Sequence, residues 1–166
     1  MRISKKICLL GDESVGKSSI STRFADDEFS DKYKATIGVK LFQKIVPVSQ
    51  DQEVNLIVWD VQGGKELISS PQQYFRGAHG LIFVCDISNQ ESIENINYYN
   101  DIVKKKYPTT KKILLLNKSD LIEYSSASEQ AITQYQDMFD NIINTSAKTG
   151  LGVSEAFRLL ALEFMK

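Results

Sequence analysis

Short runs of apolar residues that do not alternate with polar ones recur along this chain, each followed by polar or glycine-containing residues. The runs lie at residues 7–10, 81–85, 113–116 and, more weakly, 142–143. Strands that are apolar on both faces are typical of parallel sheets covered on both sides by helices. Between the runs, apolar residues recur three or four positions apart, which predicts helices within 93–103, 131–138 and 153–164. We therefore expect an α/β fold.

Two strand-like runs, at residues 41–48 and 54–59, interrupt this alternation because only the polar stretch 49–52 separates them. The spacing predicts a hairpin, and hence one antiparallel strand at the edge of the sheet. Pro47 suits an edge position, since proline has no N–H to donate to a neighbouring strand. The predicted order is β-α-β-β-α-β-α-β-α-β-α, a six-stranded, mostly parallel sheet with helices on both faces. No repeat or linker divides the chain, so we expect one domain over residues 1–166.

Two of the predicted helices carry sequence signals near their starts. Ser88-x-x-Glu91 and Ser126-x-x-Glu129 both fit a capping box, in which serine and glutamate satisfy the first backbone N–H groups of a helix. The sequence therefore predicts Ser88 and Ser126 as the capping residues.

Composition and charge exclude several classes of function. The 166 residues include 20 basic and 21 acidic side chains, a net charge of −1, so no field attracts nucleic acid and no such partner is expected. Cys8 and Cys85 lie inside apolar runs, which indicates buried thiols in a reducing, cytoplasmic compartment and not disulfides. No apolar run reaches membrane-spanning length. The sequence as it stands ends without a cysteine, so we expect that a C-terminal tail is absent or removed and that the protein reaches membranes only if its native tail is lipidated. We expect a monomer.

The stretch Gly11 to Ser18, GDESVGKS, directly follows the first apolar run and fits the phosphate-binding pattern G-x-x-x-x-G-K-[ST]. Glycines let the backbone curl so that N–H groups point at phosphate oxygens, and the following helix adds positive potential. Lys17 would reach the β- and γ-phosphates and Ser18 would ligate Mg²⁺. The alternative is a chance glycine turn. The predicted phosphate contacts are Glu13, Ser14, Val15, Gly16, Lys17, Ser18 and Ser19.

A second motif, Asn117-Lys118-Ser119-Asp120, follows the strand at 113–116 and lies at the same sheet edge. The Asp120 carboxylate can accept hydrogen bonds from guanine N1–H and the 2-amino group, while Asn117 can donate to N7. Adenine lacks that arrangement, so the pair predicts guanine specificity. An ordinary Asn-Asp turn is the alternative. Further along, the loop of Ser146, Ala147 and Lys148 follows another short strand, where the Ala147 N–H could meet guanine O6.

Three residues between these motifs suit a metal and the terminal phosphate. Asp60 follows a strand and is predicted as an acidic Mg²⁺ contact, through water. Gly63 would let a backbone N–H approach the γ-phosphate. Thr36 lies in a polar segment before the hairpin, and its hydroxyl suits a loop that orders only around a γ-phosphate and Mg²⁺. By itself Thr36 could be a plain loop threonine, but the other motifs favour a ligand.

Over essentially its whole length the chain resembles the Ras superfamily of small GTP-binding proteins, and most of all the Rab branch. The stretches that carry the resemblance are GDESVGKSS, ADDEF, TIGV, the WD at 59–60, YFRGAHG, NKSDL and TSAKTG. It implies a P-loop NTPase fold, GTP/GDP and Mg²⁺ as ligands, and a switch role in membrane traffic or signalling.

The same resemblance implies roles for individual residues. Phe29 would lie against guanine and Tyr33 would cover the phosphates. Effectors, exchange factors and activating proteins would bind two switch regions, 30–40 and 61–76. The expected catalytic residues are Lys17, Thr36, Gly63 and, as a further candidate, Gln62.

The second switch departs from the family's pattern, because Asp60-Val61-Gln62-Gly63-Gly64-Lys65 stands where D-T-A-G-Q-E is usual. Gly64 replaces the glutamine that orients the attacking water, so we expect hydrolysis slower by roughly one to two orders of magnitude. Glu13 either points to solvent or adds repulsion near the phosphates. Gln62 or a partner could replace the glutamine, or the protein could be a GTP-binding interaction module with negligible hydrolysis. An ATP-using enzyme conflicts with Asn117 and Asp120.

The residues after TIGV also depart from the pattern of the Rab branch. Lys40-Leu41 follows TIGV in place of the usual acidic-aromatic pair, so the resemblance does not carry effector identity. His79, within RGAHG, is expected to have a structural role before a buried strand.

Overall fold

A computed structural model describes residues 1–32, 34–65, 72–122 and 126–166. In these residues six strands form one sheet in the order β2-β3-β1-β4-β5-β6. All neighbouring pairs are parallel except β2 and β3, which form the predicted hairpin with β2 at the edge. The strands are β1 (Arg2–Leu10), β2 (Val39–Pro47), β3 (Glu53–Val61), β4 (Gly80–Asp86), β5 (Lys111–Asn117) and β6 (Asn141–Asn144).

Helices cover both faces of this sheet, as the pattern of apolar residues predicted. On one face, α1 and α5 bury Phe24 and Phe157 in a stacked pair with ring centroids 3.7 Å apart. On the other face, α2, α3 and α4 pack Phe75, Tyr99 and Tyr135 against the sheet. The helices are α1 (Lys17–Asp26), α2 (Gln72–Phe75), α3 (Gln90–Lys106), α4 (Ser126–Tyr135) and α5 (Val153–Glu163).

The strand order explains where a ligand can bind. The hairpin of β2 and β3 lies on one side of β1, and β4, β5 and β6 lie on the other, so the direction in which the strands are added reverses beside β1. In open α/β sheets ligands bind at the carboxyl ends of the strands at such a reversal. The stretch that follows β1 is the glycine-rich loop at residues 11–16, which the fold therefore places at the expected position.

The predicted capping box at Ser88 is wrong. Helix α3 begins at Gln90, and its cap is Asn89, whose side-chain oxygen accepts hydrogen bonds from the N–H groups of Glu91 and Ser92. Ser88 donates its hydroxyl proton to Asp86 instead, at 2.6 Å. An asparagine one residue closer to the helix satisfies the same backbone groups, so it displaces the serine. Ser126 is the first residue of α4, and the residue before it lies outside the described part of the chain.

The two thiols and the one histidine take the structural places that were expected. Cys8 and Cys85 are both buried and free, and burial raises the pKa of each thiol to about 12. The Nδ1 atom of His79 accepts a hydrogen bond from the Lys6 N–H at 3.1 Å, just before β4 begins. In the described residues no helix combines the length and apolar character that a membrane crossing needs.

Candidate nucleotide-binding site

Two positions of the glycine-rich loop accept only glycine. Gly16 has φ +102°, and a Cβ atom there would collide with Nδ2 of Asn117. Gly11 has φ +151°, and its Cβ would collide with the backbone oxygen of Val84 in β4. Both backbones thus lie against neighbouring groups in a conformation that other residues rarely adopt. The glycines let the loop turn tightly between β1 and α1, which leaves Gly16 at the start of the helix.

The Lys17 side chain is buried and bends back toward the first residues of this loop. Its Nζ atom donates to the carbonyl oxygens of Gly11 and Asp12, at 3.0 and 2.6 Å. Burial lowers the pKa of Lys17 to about 8, although the carboxylates of Asp60, Asp12 and Glu13 oppose the shift. The ammonium group is therefore mostly charged at neutral pH and lies at the centre of the loop. A bound polyphosphate would supply the negative charge that this buried cation lacks.

The three predicted metal ligands come together from three separate segments. The Ser18 hydroxyl, at the start of α1, lies 2.6 Å from the Thr36 hydroxyl and donates to Oδ2 of Asp60 at the end of β3. Asp60 is fully buried, and among the described residues its Oδ1 atom has no hydrogen-bond partner. Burial raises the pKa of this carboxyl group, while the bond from Ser18 and the charge of Lys17 oppose the rise. Hydroxyl and carboxylate oxygens are the ligands Mg²⁺ prefers, so these residues fit that ion.

Asn117 links the phosphate loop to the loop after β6. Its Nδ2 donates to the Val15 carbonyl at 2.9 Å, and its Oδ1 accepts from Thr145 Oγ1 at 3.2 Å and from the Ala147 N–H at 3.3 Å. An amide has two N–H hydrogens, so one remains for the predicted contact with N7. Within the described part of the chain, the Ala147 N–H makes just this long hydrogen bond to Asn117, which a base oxygen would have to share or replace.

The remaining residues predicted to contact the base lie next to this link. Asp120 is exposed, and its Oδ1 accepts a 2.6 Å hydrogen bond from the buried Ser146 hydroxyl. Lys118 has φ +61° and makes an ion pair of 2.9 Å with Asp86. Burial raises the pKa of Asp86, but the hydrogen bonds from Ser88 and Lys118 outweigh it and the net shift is downward. Lys118 is thereby held over the end of β4.

The other residues predicted to contact the nucleotide differ in how far they are buried, and one of them lies outside the described residues. Phe29 is half-buried and packs against the core on the α1 face. Ser14 is exposed with φ +63°, and Ser19 is half-buried in the first turn of α1. Lys148 is exposed in the loop after β6. Tyr33 lies outside the described residues, as do residues 66–71 of the second switch.

Sequence comparison identifies the family. A family model described as the Ras family matches residues 6–166. The chain belongs to the Ras family. Proteins of this family are GTPases and in general bind guanine nucleotide and Mg²⁺. The fold, the family and the enzyme class predicted from the sequence are thus confirmed, whereas the roles of individual residues stay predictions.

Several plant proteins are similar to this Ras-family chain over most of its length. GTP-binding protein YPTM2 of Zea mays is 38% identical over 159 residues, which cover 94% of this chain and 77% of the relative. Ras-related protein RIC1 of Oryza sativa subsp. japonica is 38% identical over 161 residues, with coverages of 95% and 79%. Ras-related protein RABD1 of Arabidopsis thaliana is 36% identical over 164 residues, with coverages of 97% and 79%. The Rab and Ypt names agree with the predicted similarity to the Rab branch.

The segment after β3 packs closely on the phosphate loop, and there this chain differs from the Ras-family pattern. A Cβ built on Gly63 would lie 2.6 Å from Lys17 Nζ and 2.9 Å from the Glu13 nitrogen. Gly64 has φ +111°, and its Cβ would lie 3.7 Å from Oε1 of Glu13. The Glu13 carboxylate, exposed to solvent, therefore lies beside position 64, where the resemblance leads us to expect a glutamine.

Gln62 is engaged elsewhere. Its N–H donates to the Gly38 carbonyl at 2.9 Å, and its side-chain Oε1 accepts from the Gly38 N–H at 3.2 Å. These bonds extend the ladder between β2 and β3 by one residue pair beyond Val39 and Val61. Gln62, within the predicted switch region 61–76, is thus bonded to Gly38, within the predicted switch region 30–40, and among the described residues its side chain makes no hydrogen bond to the phosphate loop.

The sequence analysis missed residues that hold the site from behind. Asp12 accepts a 2.7 Å hydrogen bond from Asn95 and a 2.6 Å bond from the Tyr99 hydroxyl, both on α3. Burial raises the pKa of Tyr99, and Asp12 raises it further. Arg23 on α1 contacts the loop after β6. Asp12 lies inside the recognised motif, but no local signal pairs it with a helix more than 80 residues away.

Proposed function

We propose that this protein is a Rab-like molecular switch that binds GTP and GDP with Mg²⁺ and hydrolyses GTP slowly. The observation that carries the proposal is the meeting of Ser18, Thr36 and Asp60 oxygens, with one buried carboxylate oxygen left without a partner among the described residues. Thr36 comes from the first switch region and is half-buried. A ligand that holds this threonine therefore also fixes the conformation of that region.

The phosphate end acts through charge and position. The N–H groups of the loop and the Lys17 ammonium would stabilise negative charge on the β- and γ-phosphates, and Gly63 would bring a backbone N–H to the γ-phosphate. Ser18, Thr36 and, through water, Asp60 would hold Mg²⁺, which when bound would offset part of the negative charge of the phosphates. Because phosphoryl transfer to water needs little covalent chemistry from the protein, these groups are sufficient for nucleotide binding and for slow turnover.

The base end supplies the selectivity. Among the described residues one carboxylate oxygen of Asp120 has no hydrogen-bond partner, and it lies beside the oxygen that Ser146 holds. Both oxygens can accept from N1–H and the 2-amino group. Asn117 would donate to N7 and Ala147 to O6. Phe29, already packed at the edge of the core, would cover one side of the ring. An adenine base would leave Asp120 and Ala147 with mismatched partners.

Slow hydrolysis follows from what lies beside the γ-phosphate position. Gly64 offers no side chain to orient water, and Gln62 is bonded to Gly38. Glu13 adds a negative charge near Gly64. The same observation favours a second candidate, a GTP-binding interaction module whose hydrolysis is negligible. In either case the switch regions at 30–40 and 61–76 would present the nucleotide state to effectors, exchange factors and activating proteins, in membrane traffic or signalling.

Nucleotide binding by the purified protein tests the proposal. We expect both GDP and GTP to bind in the presence of Mg²⁺, ATP to bind roughly 100-fold more weakly or worse, and EDTA to speed release of the guanine nucleotides. Lys17→Ala should abolish this binding, whereas Lys105→Ala, an exposed lysine on α3, should leave it unchanged. Binding of ATP as tight as that of GTP would contradict the proposal. Single-turnover hydrolysis then separates the switch from the interaction module.

A further inference from the structure

The guanidinium group of Arg23 connects the two sides of the predicted base pocket. Its Nε donates to the Ala147 carbonyl and its Nη2 to the Lys148 carbonyl, both at 2.8 Å. Its Nη1 donates to the Asp27 carbonyl at 3.0 Å and to the Asp27 carboxylate at 3.1 Å. The side chain is 17% exposed, so all three nitrogens are engaged within a largely covered group.

The two ends that Arg23 joins carry different parts of base recognition. Ala147 and Lys148 belong to the loop after β6, whose Ala147 N–H would face the 6-oxo group of guanine. Asp27 has φ +56° at the end of α1 and stands two residues before Phe29. The bonds to Ala147 and Lys148 span 124 and 125 residues of sequence, so they fix an arrangement that local structure cannot.

Asp120 is held by a separate set of bonds. Ser146, which bonds the Asp120 carboxylate, donates its own N–H to the Leu151 carbonyl at 2.9 Å and accepts from the Gly150 N–H at 2.8 Å. None of these bonds involves Arg23. The Ser146 carbonyl shares its planar peptide group with the Ala147 N–H, so the bond from Gly150 helps to orient that N–H as well. Arg23 anchors the carbonyls of the next two peptide groups, so we expect its loss to disturb the 6-oxo contact more than the Asp120 contact.

We propose that Arg23 is the positioning residue for the 6-oxo contact: it holds the Ala147 N–H in place and so sets both the retention of the nucleotide and the preference for a 6-oxo base. This proposal rests on the proposed function. Lysine is a poor substitute, because an ammonium group lacks the planar fork that reaches two adjacent carbonyls and Asp27 at once. The role is indirect, since the guanidinium binds protein carbonyls and not the base.

Nucleotides altered at one position distinguish this role from general support of the fold. In 6-thio-GDP a sulfur atom, a weak acceptor, replaces O6, and IDP lacks the 2-amino group. We compare release rates and affinities of GDP, 6-thio-GDP and IDP for the wild-type protein, Arg23→Met and Arg23→Lys. Arg158→Met, which changes an exposed arginine on α5, is the matched control.

For Arg23→Met we expect GDP release roughly 10- to 100-fold faster, because two charge-assisted hydrogen bonds to the loop are lost. The preference for GDP over 6-thio-GDP should fall several-fold, while the preference for GDP over IDP stays within about twofold of the wild-type value. Arg23→Lys should show a smaller change of the same kind, and it decides the question if Arg23→Met does not fold. Arg158→Met should behave as wild type.

An unchanged ratio of GDP to 6-thio-GDP affinity in the Arg23 variants would overturn the proposal, even if release were faster. A wild-type protein that binds GDP and 6-thio-GDP equally would overturn it as well. A wild-type protein that binds no guanine nucleotide at all would instead refute the proposed function. The two failures are thus distinguishable.

Discussion

The base end and the hydrolysis end of this site are built in opposite ways. At the base end, side chains from β5 and α1 bond to the loop after β6, and Asn117 and Ser146 are nearly or fully buried. At the hydrolysis end, two glycines lie against the phosphate loop, and among the described residues the nearest side chain to Gly64 is the exposed Glu13. This difference is the basis of our proposal that the protein holds a guanine nucleotide firmly and hydrolyses GTP slowly.

We expect the largest effect from a substitution at the base end, which should weaken nucleotide binding. Asp120→Ala removes a carboxylate that would accept two charge-assisted hydrogen bonds, so we expect GDP affinity to fall roughly 100-fold or more. IDP affinity should fall less, because IDP has no 2-amino group to lose. Equilibrium binding of the two nucleotides measures both changes. Asp101→Ala, an exposed aspartate on α3, is the control, and equal losses for GDP and IDP would refute the assignment.

We expect the next largest effect from a substitution at the hydrolysis end, which should raise the rate of GTP hydrolysis. Gly64→Gln should accelerate single-turnover GTP hydrolysis by roughly 10- to 100-fold, a barrier change of about 1.4 to 2.7 kcal/mol, because it supplies an amide to orient water. Position 64 has φ +111°, so Gly64→Ala is the control that shares the backbone strain without the amide. A rate for Gly64→Gln no higher than that of the wild type would show that the missing glutamine is not the cause of slow turnover.

A third effect tests the support behind the phosphate loop. Tyr99→Phe removes the 2.6 Å hydrogen bond to Asp12 from a residue that is 1% exposed, so we expect the free energy of unfolding to fall by about 1.5 to 3 kcal/mol. Urea unfolding in the presence of GDP measures this. The neighbouring Tyr98 is 39% exposed, and its hydroxyl has no hydrogen bond to the described residues, so Tyr98→Phe is the matched control. Equal midpoints for both variants would rule out the anchoring role.

The smallest effect concerns Gln62. Since its side chain is bonded to the Gly38 N–H, Gln62→Ala should change single-turnover hydrolysis by less than about twofold, because the lost hydrogen bond lies away from the reacting atoms and does not stabilise the transition state. Loss of all remaining activity would instead show that Gln62 moves to the phosphate and replaces the missing glutamine. Gln43→Ala, at an exposed position on β2, is the control.

Much of this architecture could be predicted from the sequence, because it depends on local patterns. The apolar runs place β1, β4 and β5, and the glycine motif places the phosphate loop. The bonds of Arg23 and the link between Asp12 and Tyr99 could not be predicted, since each joins residues far apart in the chain by side-chain geometry. The N-cap of α3 was missed because Asn89 and Ser88 are both good caps and only the path of the chain decides between them.

The paired bonds between Gln62 and Gly38 have a thermodynamic consequence. Gly38 lies two residues after Thr36 and Gln62 lies one residue before Gly63, so the predicted metal contact and the predicted γ-phosphate contact adjoin the same end of the ladder between β2 and β3. A protein that separates the hairpin at this point alters both contacts in one event. Thermodynamic linkage then makes the effect reciprocal. If bound nucleotide strengthens the binding of that protein by some factor, the protein strengthens the binding of the nucleotide by the same factor.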